Sequence, residues 1–179
     1  MIINAVSSLT WTTLYSKYSR LRTQLVRANR DYVALKTGPY SKLEDASQAM
    51  IQEAADRREY YFRTSGLTMA GLRANSKNPE DTFDDYEKYL SSKVDYTEAH
   101  PIPSFMEMLI KLKQESRNQL ILLTNSGAIH TERTLRQLGI YSLFDYIVFT
   151  DYQDPGIVTK PYPTVYLHVQ HAIGQADPS

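Results

Sequence analysis

The sequence predicts an α/β fold: a parallel sheet flanked by helices, incomplete over the length of this chain, with a separate helical subdomain ahead of it. Three observations lead there. Two short unbroken apolar runs, Leu120-Ile121-Leu122-Leu123 and Tyr146-Ile147-Val148-Phe149, have the composition of strands buried on both faces. Helical periodicities lie before, between and after them, and strands alternating with helices make a parallel sheet. The stretch from about Ser16 to Glu98, by contrast, is mostly helical in pattern.

Each element follows from local signals. Leu43, Ala46, Met50 and Ala54 sit at helical spacing and predict a helix over Ser41–Arg63, with Ser41 and Glu44 as its capping box. Ser65-Gly66 breaks it. A turn at Asn78-Pro79 precedes a short amphipathic helix carrying Phe83, Tyr86 and Leu90. His100-Pro101-Ile102-Pro103 is the clearest linker, and Phe105, Leu109 and Leu112 line one face of the helix after it, which starts at Pro103 or Ser104. The first strand follows. Thr131–Leu138 reads as the next helix, with Gly139 where a C-terminal cap belongs. The second strand is Tyr146–Phe149. Val165, Val169 and Ile173, four apart, give a last helix over Thr164–Ile173.

Composition narrows the function classes. Lys+Arg and Asp+Glu both number 20, so no net charge draws the chain to nucleic acid or an anionic membrane. The absence of cysteine excludes disulfides, thiolate catalysis and zinc–cysteine sites. No apolar run approaches the ~18 residues of a membrane span, and Met1–Tyr15 lacks a basic start and an unbroken apolar centre, so it does not read as a signal peptide. A cytoplasmic protein is expected, with a nuclear location left open; neither nucleic acid nor membrane is an expected partner, and the oligomeric state is open.

Parallel sheets bind ligands at the carboxyl ends of their strands. Thr124-Asn125-Ser126 follows the first strand, Thr150-Asp151 follows the second, and Lys160-Pro161 leads into the last helix after a turn with Pro155-Gly156. A hydroxyl, free N–H groups at a helix start and an ammonium together suit a phosphate. The same spacing also suits a strand-end turn beside a solvated lysine, and both readings stay open on spacing alone.

The ordered residues resemble a known family. Leu122-Leu123-Thr124-Asn125-Ser126 is similar to motif II of the haloacid dehalogenase (HAD)-like hydrolases, and Lys160-Pro161 ahead of Tyr162-Pro163-Thr164-Val165-Tyr166 is similar to their motif III. Between them, Leu138-Gly139-Ile140 and Leu143-Phe144-Asp145 resemble a segment familiar in that family. Tyr60-Tyr61, Gly66-Leu67-Thr68, Gly71-Leu72 and Val94-Asp95-Tyr96 resemble the helical cap of the pyrimidine 5′-nucleotidase branch. The resemblance implies a Rossmann-like core with a cap that closes over the active site, Mg²⁺ in intact members, and removal of phosphate from a nucleoside monophosphate through an aspartyl-phosphate. It divides the chain into a degenerate first core segment (1–16), a helical cap (17–100) and a core lacking motif IV (101–179). Thr124 and Lys160 then take the motif II and III roles in catalysis, and Thr124, Asn125 and Lys160 contact phosphate.

The chain departs from the family at motif I, Asp-x-Asp-x-Thr, whose first Asp attacks phosphorus and whose second moves the proton. Trp11-Thr12-Thr13-Leu14-Tyr15-Ser16 matches the end of that motif, so Leu9 falls at the nucleophile's position and Trp11 at the acid/base's. Thr13 is a remnant of it. Motif IV would be expected beyond Asp177-Pro178-Ser179. No cofactor is therefore expected for this chain. The expectation is a nucleotidase-type relative, truncated or catalytically impaired; the alternative is a non-catalytic phosphate-binding or regulatory pseudoenzyme of the same fold.

Other clusters read as surface. Lys17, Arg20, Arg22, Arg27 and Arg30 fit the solvent face of a helix, with no interleaved aromatic series for nucleic acid. His168 and His171 lack a third ligand. His100 and His130 have no legible Ser or Asp partner, and Asp84-Asp85 reads as a solvated pair.

Overall fold

A computed structural model describes residues 19–76, 83–115, 119–154, 156, 159–160 and 162–176. Leu9, Trp11, Thr13, Lys17, Asn78-Pro79, Pro155, Pro161 and Asp177 lie outside them. The chain forms two compact units, one of residues 20–95 with 151–157, the other containing 96–150 and the residues from 158 onward. Among the described residues no helix is long and apolar enough to cross a membrane.

The first unit is helical. In α1 (Ser19–Thr37), Leu21, Ala28 and Tyr32 are buried at intervals of seven and four, which is one face of a helix. Arg20, Arg22 and Arg27 are exposed, as expected, and Arg30 pairs with its neighbour Asp31. The next helix does not begin at Ser41. Leu43–Asp45 is an isolated 3₁₀ turn, and the extended residues Ala46 and Ser47 separate it from α2 (Gln48–Ser65). Ser47 is the cap, its hydroxyl accepting from Met50 N at 3.3 Å. Gly66, at φ 72°, ends α2 in the left-handed conformation that glycine adopts without strain.

α3 (Thr68–Ala74) folds back on α2. The two helices meet so closely that a Cβ at Gly71 would lie 2.4 Å from Cβ of Tyr61. α4 (Tyr86–Ser92) closes the core around Tyr32, Tyr61, Met69, Leu72, Phe83 and Tyr86. The rings of Tyr32 and Tyr86 meet edge-on at 5.0 Å. Asp85 is not simply solvated: it accepts from the Tyr32 hydroxyl at 2.6 Å and pairs with Lys36 at 3.3 Å. A buried tyrosine needs an acceptor for its hydroxyl, and Asp85 provides it.

The second unit is the predicted parallel α/β layer. It runs from a 3₁₀ turn at Tyr96–Glu98 through α5 (Pro103–Glu115), β1 (Ile121–Leu123), α6 (Ala128–Gln137), β2 (Tyr146–Val148) and α7 (Pro163–Ala176). β1 and β2 pair in parallel, Ile121 with Tyr146 and Leu123 with Val148. β1 is fully buried. β2 is only half-buried, and Phe149, expected inside a buried strand, is 47% exposed beyond its end. The apolar run reflects a strand with one well-covered neighbour rather than burial on both faces.

Val165 and Val169 of α7 pack on Ile121 and Leu123, with Ile173 against the same cluster, as the four-residue spacing predicts. α6 starts at Ala128, a turn earlier than Thr131, and ends on Gly139 at φ 69°. Gly139 N donates to Arg136 O and Ile140 N to Leu135 O, which satisfies the last carbonyls of the helix.

Candidate active site at the carboxyl end of the sheet

The site begins where β1 stops. Thr124 N continues the ladder by donating to Val148 O at 2.9 Å, and the chain then turns. Ser126 N donates to Thr124 Oγ1 at 3.1 Å, which fixes the threonine side chain within the turn. A hydroxyl that accepts one bond still has its own proton to give. Ser126 O accepts from Thr150 N at 3.0 Å, and the Thr150 hydroxyl approaches Thr124 O at 3.4 Å. The segment leaving β2 is thereby tied to the segment leaving β1.

Lys160 comes to the same turn from 35 residues away. The Asn125 side chain binds its backbone on both sides: Nδ2 donates to Lys160 O at 2.9 Å, and Lys160 N donates to Oδ1 at 3.0 Å. An amide has one donor end and one acceptor end, which matches a peptide N–H and C=O as no carboxylate could. Lys160 Nζ then donates to Leu123 O, the last carbonyl of β1, at 2.6 Å. The lysine is half-buried, and burial pulls its pKa below the ordinary lysine value.

The fold therefore brings these residues together: Lys160 is bonded to Asn125 and to Leu123, beside Thr124. Their groups are a hydroxyl, an amide and an ammonium with two further N–H donors. The first turn of α6, whose cap Gly127 offers no side-chain acceptor, follows directly. This set contains no carboxylate, either to attack phosphorus or to act as a base. Asp151, in the other unit, uses its carboxylate to accept from Gln153 N at 2.9 Å. Among the described residues no group of three or more His, Cys, Asp or Glu gathers to hold a metal. These residues alone thus do not fit the magnesium ion that the resemblance implies. An open groove of about 440 Å³ lies elsewhere on the unit, between α6 and β2, lined by Thr131, Phe144 and Phe149 among others. It contains none of the three residues and has no charge suited to an anion.

Two anchors were not legible in the sequence. His130 in the first turn of α6 has a partner after all, the Tyr96 hydroxyl 3.0 Å from Nδ1, and burial lowers its pKa to about 4. Asp145 Oδ2 accepts from Leu120 N at 2.7 Å and Oδ1 from Lys113 Nζ at 3.1 Å. The Leu120 bond leads in holding the Asp145 carboxyl below the usual aspartate range. His168 and His171 are both exposed on α7, as expected.

A family model described as haloacid dehalogenase-like hydrolase matches residues 11–179. The match begins at Trp11. Phosphate metabolism protein 8 of Saccharomyces cerevisiae is 28% identical over 163 residues, which cover 86% of this chain and 46% of that protein. The chain thus spans about half the length of this curated relative.

Proposed function

Because the chain belongs to the haloacid dehalogenase-like hydrolase family, we propose that the turn carrying Thr124 and Asn125, with the Lys160 bonded to it, binds the phosphate of a small phosphomonoester, of the pyrimidine nucleoside 5′-monophosphate class. One observation carries this reading: the 2.6 Å bond from Lys160 Nζ to Leu123 O. It holds a half-buried ammonium at the carboxyl end of a buried strand, where parallel sheets take their ligands. An ammonium kept partly out of water is stabilised by an anion that supplies charge-assisted hydrogen bonds. Thr124 would donate its hydroxyl proton to a phosphate oxygen. Asn125 acts on the lysine's backbone and so sets where the ammonium stands.

The yeast relative's name supports phosphate chemistry. The nucleotide class rests on the resemblance at Tyr60-Tyr61, Gly66-Leu67-Thr68 and Val94-Asp95-Tyr96. Turnover is impaired in this reading. Hydrolysis by this family forms a phosphorus–oxygen bond to an Asp while the alcohol leaves, and water then cleaves that bond. Leu9 and Trp11, at the two carboxylate positions, can do neither step.

The test is release of inorganic phosphate from UMP and CMP with Mg²⁺ present, measured alongside binding of both. Saturable binding with release no faster than in buffer is expected, and Lys160→Ala weakens the binding about tenfold or more, the loss of one charge-assisted contact. Release that disappears in Lys160→Ala would show a working enzyme and end the claim of impairment. Binding unaffected by Lys160→Ala would end the claim of the site.

A further inference from the structure

Resting on that phosphate site, we infer that Tyr96 is a positioning residue for it, acting through His130 on the first turn of α6. Tyr96, α6 and Lys160 all belong to the α/β unit. The start of α6 needs a hold from another segment. Its first intrahelical bond runs from Thr131 N to Gly127 O at 3.1 Å, and Gly127 has no side chain with which to cap the turn before it. Gly127 is only two residues from Asn125, whose amide fixes the Lys160 backbone on both sides at 2.9 and 3.0 Å. A first turn free to fray would carry the phosphate-binding residues with it.

Tyr96 supplies the hold. Its hydroxyl lies 3.0 Å from Nδ1 of His130, the third residue of α6. Its ring packs against the imidazole, centroids 5.5 Å apart, and lies 5.6 Å from the Arg133 guanidinium. Residues three apart are neighbours on one helix face, so the ring spans that face while the hydroxyl reaches the first turn. Helix side chains lean toward the N-terminus, so a bond to His130 restrains the turn that begins at Gly127. Burial keeps the imidazole neutral at pH 7, which leaves one ring nitrogen without a proton. That nitrogen is Nδ1 and the hydroxyl is the donor, since a phenol gives up a proton more readily than a neutral imidazole does.

Neither Tyr96 nor His130 is a proposed phosphate ligand. Their effect must show as loosening of one turn, distinct from a general loss of stability. The experiment combines imidazole ¹⁵N shifts, backbone amide exchange on the ligand-free chain and titration of inorganic phosphate. Tyr96→Phe keeps the ring and removes only the hydrogen bond. In it the Nδ1 shift should move, and the Thr131 amide should exchange about fivefold faster, as for a local opening. The Asp145 amide, bonded to Leu120 O at 2.8 Å, should keep its wild-type rate. Phosphate affinity should fall about fivefold, the effect of one lost hydrogen bond. His130→Ala should lose as much, and Tyr96→Phe added to it should lose nothing further, because the two side chains form one contact. His130→Gln keeps an acceptor and should recover most of the affinity.

An unmoved Nδ1 shift or unchanged Thr131 exchange in Tyr96→Phe, equal acceleration at Asp145, or additive losses in the double variant would overturn the inference. Lys160→Ala separates this failure from failure of the site. Phosphate binding that survives Lys160→Ala overturns the site and the role of Tyr96 with it. Binding lost in Lys160→Ala but intact in Tyr96→Phe overturns the role of Tyr96 alone.

Discussion

Replacing Asn125 with alanine removes two hydrogen bonds at once, those of 2.9 and 3.0 Å to the backbone of Lys160. Each such bond contributes about 1 kcal/mol net, and the partners left behind are half-buried, so a loss of about 2 kcal/mol is expected. In a chain of this size that corresponds to a fall in Tm of roughly 4–8 °C. The urea midpoint should drop with an unchanged slope, because the surface exposed on unfolding does not change. Asn125→Asp tests the geometry separately. It keeps an acceptor for Lys160 N but turns a carboxylate oxygen toward Lys160 O, where the wild type has a donor, so it should recover no more than half of the loss. Phosphate affinity should fall in both variants, since the lysine backbone is no longer fixed. A loss below about 0.5 kcal/mol in Asn125→Ala, the range of ordinary surface substitutions, would refute the claim that this side chain ties the two segments together.

Two further outcomes follow from the anchors of the α/β unit. The His130 imidazole is lowered to about 4 in the folded chain from 6.5. Below pH 6.5 the unfolded chain takes up a proton that the folded chain refuses, so stability present at neutral pH is lost as pH falls toward 4, by at most about 3 kcal/mol. Urea midpoints between pH 7 and pH 4.5 should show the slope, and His130→Gln should reduce it; an equal slope in the variant would contradict the assignment. Asp145→Ala leaves the N–H of Leu120, which is 1% exposed, without its acceptor. A loss of about 2 kcal/mol is expected by denaturant titration, with Asp145→Asn milder because it keeps an acceptor.

What the sequence revealed depended on how local the signal was. The last helix and the glycine cap were legible because each rests on spacing within about ten residues, four between Val165 and Val169, a glycine after Leu138; the parallel pair followed from the alternation of strands with helices. The start of α2 was misread because Ser41 and Ser47 are chemically equal as caps, and only the extended backbone at Ala46 and Ser47 separates them. Burial of β2 was overstated for a similar reason: an apolar run does not say how many neighbours cover it. Thr124, Asn125 and Lys160 were singled out through motif order, and the fold bonds Lys160 to Asn125 and to Leu123, next to Thr124. The pairing of Asn125 with the Lys160 backbone spans 35 residues, that of Tyr96 with His130 spans 34, and Arg73 reaches the carbonyls of Tyr152 and Asp154 across 79 and 81. Side-chain bonds at such separations leave no periodicity to read. They depend on which turns the fold brings together.

The phosphate reading depends on the charge of one side chain. Nuclear magnetic resonance of lysine labelled with ¹⁵N at the ζ position follows that charge directly, with Lys160→Arg assigning the signal. Without ligand, the Lys160 ammonium should titrate below 10.5, in the direction its burial imposes. With saturating UMP its midpoint should rise by about one unit, since a nearby anion favours the charged form. A midpoint at the ordinary lysine value that UMP leaves unmoved would contradict the account.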